Sequence, residues 1–355
     1  MQQKTTQTSN SPLEPLLAAT RLKGRPVILD GGFGQLVADE YPELDQSGGM
    51  WVSGVAVRAP NIIRDAHRRY LEAGADIITT ATYQASAGGY IAAGLATTEA
   101  EADALLTATV ALAVEARAQF IQAQAEEGPH QRRPLIAVSL GSVGATLGDC
   151  SEYTGKFGQG LTMQDVYEFH LRRFSMLARC LDASELRGQI DLLAMETIPS
   201  AEEATAIVRA LDELSLRDVV LPAAWIAFTT PVTNQTGLGE PIEDAVRAAT
   251  SSPLVCAVGI NCVPTHVVPE LLANIARVSP VPVVCYPNGQ TWQGSTNAWG
   301  DASTQVSPAN YAKSAMEWAQ NGALVVGGCC KTTPEHIRTL AETAAVANSC
   351  CAPHD

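Results

Sequence analysis

Two adjacent cysteines, Cys329 and Cys330, follow two glycines at the end of an apolar run, Ala323-Leu324-Val325-Val326-Gly327-Gly328. A third, Cys262, ends an equally apolar run, Leu254-Val255-Cys256-Ala257-Val258-Gly259-Ile260-Asn261. Cys180, Cys256 and Cys285 lie inside apolar stretches and read as small hydrophobes. Thiols at the ends of such stretches are different: three of them, with no obvious ligand histidine, suit Zn²⁺, one ion per chain. Zinc takes four tetrahedral ligands, so three sulfurs leave one position open, the mark of a catalytic rather than a structural site. An ion already carrying three thiolates activates water poorly but can still bind and deprotonate an incoming thiol, whose sulfur stays nucleophilic. That chemistry is alkyl transfer to a thiol rather than hydrolysis. A vicinal disulfide between Cys329 and Cys330 is the alternative, and the placement of Cys262 on another strand speaks against it.

The elements that must position these thiols follow from apolar runs alternating with helical periodicity. Strands are predicted at Pro26–Asp30, Asp76–Thr82, Leu135–Leu140, Asp191–Glu196, Ala224–Thr229, Leu254–Asn261, Val281–Tyr286 and Ala323–Gly328. Near-continuous apolar strands separated by helices imply a parallel sheet covered on its outer side. The helix at Asn61–Ala73 puts Ile62, Ile63, Ala66, Tyr70 and Leu71 on one stripe. Others are predicted near Thr98–Ala125, Thr162–Asp182, Ala201–Leu214, Ile242–Thr250, Val267–Arg277, Pro308–Gln320 and Pro334–Ala347. Eight such units close a single (β/α)₈ TIM barrel. An open doubly wound sheet is less favoured, because no GxGxxG turn follows the first strand. Long loops rich in Gly, Ser and polar residues are expected after strands one, three and seven, at Gly31–Pro60, Gly141–Leu161 and Pro287–Ser307. They place the chemistry at the carboxyl ends of the strands. There Cys262 ends strand six while Cys329 and Cys330 end strand eight. The expected organisation is a polar tail at 1–12, one catalytic domain at 13–347 and a short tail at 348–355.

Composition narrows the class further. A chain of 355 residues, 46% hydrophobic, can bury a large core. Its net charge of −14 and pI near 4.9 argue against nucleic acid. The polar amino terminus has no signal or anchor character, and no run approaching a membrane span stands out. Nine cysteines without a leader fit a reducing compartment, the cytoplasm.

Several ordered motifs carry a resemblance to a known family. They are Leu29-Asp30-Gly31-Gly32, Thr82-Tyr83-Gln84-Ala85, Cys150-Ser151-Glu152-Tyr153, Glu196-Thr197-Ile198-Pro199, Gly259-Ile260-Asn261-Cys262, Tyr286-Pro287-Asn288 and Gly327-Gly328-Cys329-Cys330. From about Val27 to about Leu340 the chain resembles the homocysteine S-methyltransferase family, in its group that uses S-methylmethionine or S-adenosylmethionine. The resemblance implies zinc on Cys262, Cys329 and Cys330, with the homocysteine sulfur as fourth ligand and methionine as product. It also implies that Asp30 and Glu196 hold the substrate ammonium, a role that suits carboxylates. Either could instead be structural, Asp30 opening a tight turn and Glu196 capping the following helix. Tyr83 matches a tyrosine that, in betaine-using relatives, can fill the open metal position when no thiol is bound.

Further contacts are read from position. The amides of Gly31 and Gly32 could receive the substrate carboxylate, because glycine lets backbone approach closely. Gln84, Ser142 and Asn261 are candidate polar contacts. Trp292 and Trp299, in the loop after strand seven, could help hold a cationic donor or simply pack that loop. His67, His170 and His336 fall in helices and read as packing or surface residues, His266 as a loop residue, and Cys350 and Cys351 as exposed tail thiols. No general base is needed once the metal takes the thiol's proton, and alignment of methyl and sulfur supplies most of the rate.

Competing functions remain at this level. Selenocysteine could replace homocysteine as acceptor, and the barrel could bind thiol amino acids without turnover. A metal-free aldolase would need a strand-end lysine, for which only Lys331 qualifies. Betaine-dependent and folate-dependent chemistry is disfavoured, the chain ending 25 residues after Cys330. Oligomeric state is open.

Overall fold

Eight runs of small and branched apolar residues form the strands of one parallel sheet in the computed structural model. It describes Leu13, Leu17 and residues 25–44, 50–127, 132–158, 160–290, 292–293, 298–299 and 304–349. The strands are β1 (Val27–Ile28), β2 (Ile77–Thr79), β3 (Leu135–Gly141), β4 (Leu192–Ile198), β5 (Ala224–Phe228), β6 (Val255–Asn261), β7 (Val283–Tyr286) and β8 (Ala323–Val326). Each pairs in parallel with its neighbours in the order β1-β8-β7-β6-β5-β4-β3-β2. A parallel bridge between Leu29 and Ile77 closes the ring, with the Asp30 N–H donating to the Ile77 carbonyl at 3.0 Å. The expected (β/α)₈ barrel is therefore the observed one.

Helices follow in chain order: α1 (Phe33–Glu40), α2 (Trp51–Arg58), α3 (Pro60–Glu72), α4 (Ala87–Ala92), α5 (Glu99–Glu127), α6 (Val143–Leu147), α7 (Met163–Leu181), α8 (Ala201–Leu216), α9 (Ile242–Ala249), α10 (Val268–Ala276), α11 (Pro308–Gln320) and α12 (Pro334–Ser349). Their starts are written locally. Thr162 and Asp165 form a reciprocal capping box at α7, and Ser200 and Ser307 cap α8 and α11. Two expectations change. The stretch after β1 is largely helical, carrying α1 and α2, and the stretch after β3 carries α6 and a 3₁₀ turn at Ser151–Tyr153. Glycine content suggested open loops there, but Gly34 and Gly54 lie within α1 and α2, where tertiary packing overrides weak propensity. The short α4 was also not anticipated. In addition, α5 is long and apolar enough to cross a membrane by length and composition. It packs on α3 and α7 as one of the barrel's outer helices.

The barrel has two apolar layers. Outward strand residues pack on the helices, while inward residues such as Leu29, Ile77, Leu135, Ala137, Leu192, Ala194, Trp225 and Val325 fill the interior. Leu13 and Leu17 join that interior cluster. In a strand every second residue shares a face. The interior series Leu135, Ala137 therefore continues to Ser139, and Leu192, Ala194 continues to Glu196. Polar chemistry thus emerges at the carboxyl-terminal mouth, one step beyond the apolar plug. Between β7 and α11, a two-stranded antiparallel ribbon pairs Trp292–Gln293 with Ala298–Trp299. The side chains of those tryptophans lie outside the described residues, as do the tail 1–12, Cys350 and Cys351.

Candidate metal centre

Cys262 follows directly on β6, and Cys329 and Cys330 lie three and four residues past the end of β8. Strand-to-helix geometry brings their sulfurs within 4.8 Å of one another. Cys262 Sγ lies 2.6 Å from Cys329 Sγ and 3.8 Å from Cys330 Sγ. Cys262 adopts φ 51°, a left-handed turn that costs a non-glycine residue energy and points its sulfur into the mouth. The glycines before the cysteine pair have a steric reason. A Cβ on Gly328 would meet Thr332 Oγ1 at 2.2 Å, and one on Gly32, across the mouth, would meet the Cys329 carbonyl oxygen at 2.3 Å. Side-chain-free backbone from β1 and β8 is what allows the cysteine loop to sit where it does.

The three thiols share charge unequally. Hydrogen bonds from Cys329 and Cys330, then from the hydroxyls of Tyr153 and Thr197, hold the Cys262 thiol well below its ordinary range. Giving protons to that thiolate pushes Cys329 and Cys330 up. A thiolate flanked by two thiols is a donor set suited to a soft or borderline divalent ion, which would displace the two shared protons.

Two carboxylates sit beside the sulfurs. Asp30 is buried and accepts from the Thr79 N–H at 2.7 Å and the Thr79 hydroxyl at 3.1 Å. Burial, and after it the Glu196 charge, raise its carboxyl well above the usual range. Glu196 accepts from the hydroxyls of Ser139 and Tyr286, and burial lifts it to about 7. Both line, with the three cysteines, one cavity of about 440 Å³ at the barrel mouth. A larger depression of about 880 Å³ lies at the opposite end, near Asp182 and Val219, where among the described residues no comparable set of ligands converges.

The remaining expected residues divide. Tyr83 and Gln84 line the cavity, and Gln84 donates to the Ala145 carbonyl at 2.9 Å while its Oε1 is buried without a partner. Gly31 also lines it, but the Gly32 N–H is already taken by the Thr332 carbonyl and hydroxyl at 2.9 and 3.0 Å. Asn261 lines the cavity too, yet both ends of its amide engage Thr197. Ser142 is buried as the cap of α6, its Oγ accepting from the Ala145 N–H at 3.4 Å. Ser139, three residues earlier and on the inward face of β3, lines the cavity instead. The period of two along β3 would have found it.

Other supports were hidden in the sequence. Arg173 on α7, fully buried, donates to the carbonyls of Gly141, Thr82 and Tyr83 and so ties together the ends of β2 and β3. Glu203 on α8 accepts from the Val143 N–H at 2.7 Å and pairs with His170 at 2.9 Å. His67 is core, stacked on Phe33 at 4.4 Å and driven by burial down to about 3. His336 bonds the Val306 carbonyl, and His266 is exposed. Lys331 turns outward to Asp39 on α1 at 2.9 Å, away from the cavity, which removes the lysine an aldolase would need.

A parallel (β/α)₈ barrel with a three-thiol centre at its catalytic face defines a class of metal-binding thiol enzymes. Comparison makes the class specific. Residues 27–344 match the family model of homocysteine S-methyltransferase, and the chain belongs to that family. It is 36% identical over 324 residues to homocysteine S-methyltransferase 4 of Zea mays, covering 90% of each chain. It is 37% identical over 327 residues to a selenocysteine methyltransferase of Astragalus bisulcatus, covering 89% of this chain and 92% of that one. Among solved structures it resembles the metallated form of the homocysteine methyltransferase of Escherichia coli, with TM-score 0.72 and 31% identity over 92% of this chain and 99% of that one.

Proposed function

We propose that this protein transfers a methyl group from a sulfonium donor, S-methylmethionine or S-adenosylmethionine, to the thiol of L-homocysteine, giving methionine. The observation that carries the reading is the convergence, in one cavity, of the three sulfurs with the Asp30 and Glu196 carboxylates. Cys262, Cys329 and Cys330 would hold one Zn²⁺. When bound, the ion supplies the positive charge that lets the acceptor thiol lose its proton near neutral pH.

The chain's own residues do the rest. Asp30 and Glu196 receive the acceptor's ammonium, which recovers the cost of burying two carboxylates next to one another. Ser139 and Thr79 fix their orientation. The Gly31 amide would meet the acceptor's carboxylate, while the Gln84 Oε1, its Nε2 already donating to the Ala145 carbonyl, would accept a hydrogen bond from substrate. Without acceptor, Tyr83 would be the residue to fill the ion's open position. Holding the acceptor by its far end aligns its sulfur for attack on the donor methyl. A centre built from reduced thiols supports a reducing compartment, the cytoplasm.

The test pairs metal analysis with a panel of donors. The purified protein should hold about one zinc and form methionine with a sulfonium donor but not with betaine. Cys330→Ala should lose zinc and turnover together; turnover retained without zinc would sink the reading. The selenocysteine methyltransferase likeness, at similar identity, favours a second acceptor of the same chemistry. Competition between homocysteine and selenocysteine decides their order.

A further inference from the structure

The mouth of the barrel carries one more carboxylate than the acceptor needs. Among the described residues lining the cavity there is no lysine, arginine or histidine, against three carboxylates, Asp30, Glu196 and Glu152. Asp30 and Glu196 lie close enough to feel each other's charge. Glu152 stands apart from that pair. Like Glu196 it feels the Cys262 charge, and its own charge is felt by the neighbouring Tyr83 and Tyr153. Its Oε2 is buried and has no hydrogen-bond partner.

Backbone contacts fix the turn that carries this carboxylate. Glu152 sits in the 3₁₀ turn at Ser151–Tyr153, whose backbone is pressed against Gly144 on α6: a Cβ there would meet the Glu152 nitrogen at 2.3 Å. On the other side, a Cβ on Gly237 would meet the Tyr153 carbonyl oxygen at 2.4 Å. A carboxylate held this way, half-buried beside aromatic side chains with one oxygen unpaired, is a site for a cation. We propose that Glu152 recognises the positively charged sulfur of the methyl donor, making it the residue that selects sulfonium over neutral thioether.

The inference rests on the donor being a sulfonium, and the reaction fixes where its charge must sit. The acceptor sulfur attacks the methyl carbon, the carbon–sulfur bond of the donor breaks, and its electron pair stays on the departing sulfur as a neutral thioether. The cationic sulfur must therefore lie one methyl group away from the acceptor sulfur, within the cavity that Glu152 lines. Because the donor's charge fades along the reaction, an opposing carboxylate favours the bound donor at least as much as the transition state. Its removal should act on donor binding rather than on kcat.

The experiment compares binding of S-methylmethionine and methionine, which differ by one methyl group and its charge, to the zinc-loaded protein by calorimetry. The wild type should prefer S-methylmethionine, and Glu152→Gln should reduce that preference about tenfold, with Glu152→Asp intermediate and homocysteine affinity unchanged. In turnover, Glu152→Gln should raise the donor KM about tenfold with kcat preserved. An unchanged preference, or a loss of homocysteine affinity instead, overturns the assignment. Equal weakening of methionine and S-methylmethionine also overturns it, because Glu152 would then be reading the donor's ammonium. If the wild type turns over no sulfonium donor, the methyl-transfer reading fails, while the binding ratio still reports on Glu152.

Discussion

The carboxamide of Asn261 grips Thr197 at both of its ends. Its Oδ1 accepts the Thr197 N–H at 2.7 Å, and its Nδ2 donates to the Thr197 hydroxyl at 2.8 Å. Asn261 immediately precedes Cys262, and Thr197 immediately follows Glu196. One side chain therefore ties the Cys262 end of β6 to the Glu196 end of β4, two strands away. Thr197 itself, at φ 58°, and Cys262, next to Asn261, at φ 51°, are both strained. Strain of this kind persists only where surrounding bonds enforce it.

Replacing Asn261 with Ala should therefore act on both sites. Two buried hydrogen bonds are lost and the Thr197 N–H is orphaned, a cost of about 2–4 kcal/mol. With Cys262 no longer held, zinc affinity should fall roughly 10–100-fold. Urea unfolding at unchanged m-value, together with a chelator competition, measures both; full zinc affinity in a destabilised variant would contradict the coupling.

Glu196 predicts a pH dependence. Burial raises its carboxyl from an ordinary 4.5 to about 7 in the free protein. A folded-state pKa above the unfolded one means that the native state holds the proton more tightly between those values. Stability from this group is complete below the ordinary pKa and is lost as pH rises through about 7, by about 3 kcal/mol. Glu196→Gln should accordingly raise the melting temperature of the substrate-free protein at pH 8 but not at pH 4. Binding runs the other way: the acceptor's ammonium needs the carboxylate, so homocysteine affinity should rise between pH 6 and 8. A flat affinity profile in the wild type would count against Glu196 as the anchor.

Ser139→Ala sharpens the same point. Its hydroxyl donates to the Glu196 carboxylate and favours the charged form. Without it the rise in homocysteine affinity should move to higher pH, by roughly one unit for a hydrogen bond to a charged group. An unmoved profile would show that the hydroxyl does not reach the ionised carboxylate in solution.

Gly32→Ala isolates the steric demand. Gly32 has φ −68°, which any residue can adopt, so the change introduces no backbone strain. Its Cβ would nonetheless fall 2.3 Å from the Cys329 oxygen and displace the cysteine loop. Zinc affinity should drop at least about tenfold while circular dichroism shows an intact barrel. Wild-type zinc content would mean that the loop yields without moving its sulfurs.

Oxidation should discriminate among the thiols. In the metal-free protein the Cys262 thiolate lies 2.6 Å from Cys329 Sγ and 3.8 Å from Cys330 Sγ. Peroxide should oxidise the Cys262 thiolate to a sulfenic acid, which then condenses with the Cys329 thiol to a disulfide and releases water. Peptide mapping should find the Cys262–Cys329 link and a loss of zinc binding. A Cys329–Cys330 product would show that the vicinal pair, not the inter-strand pair, is poised to react.

Much of this protein was legible in its sequence, because a parallel barrel buries its strands on both faces. Buried strands read as apolar runs, and the chemistry sits where the runs stop. That logic placed the eight strands, the ends that bear Cys262, Cys329 and Cys330, and the positions of Asp30 and Glu196. It was weaker wherever a glycine-rich stretch turned out helical, as in α1 and α2, since propensity there yields to packing on the rest of the barrel.

What the sequence could not decide is which groups meet. Asn261 and Thr197 are 64 residues apart, Ser139 and Glu196 are 57, and Gly32 and Thr332 are 300. Their encounters depend on the stagger of neighbouring strands and on the closure of β1 against β2, which no local pattern encodes. The sequence by itself determined the three thiols and the barrel that carries them. The tertiary structure decided that Ser139 reaches Glu196 while Ser142 caps α6, that Asn261 braces Thr197, and that Glu152 joins Asp30 and Glu196 in the cavity lined by the thiols. Those choices rest on contacts between strand ends that become neighbours only when the ring closes.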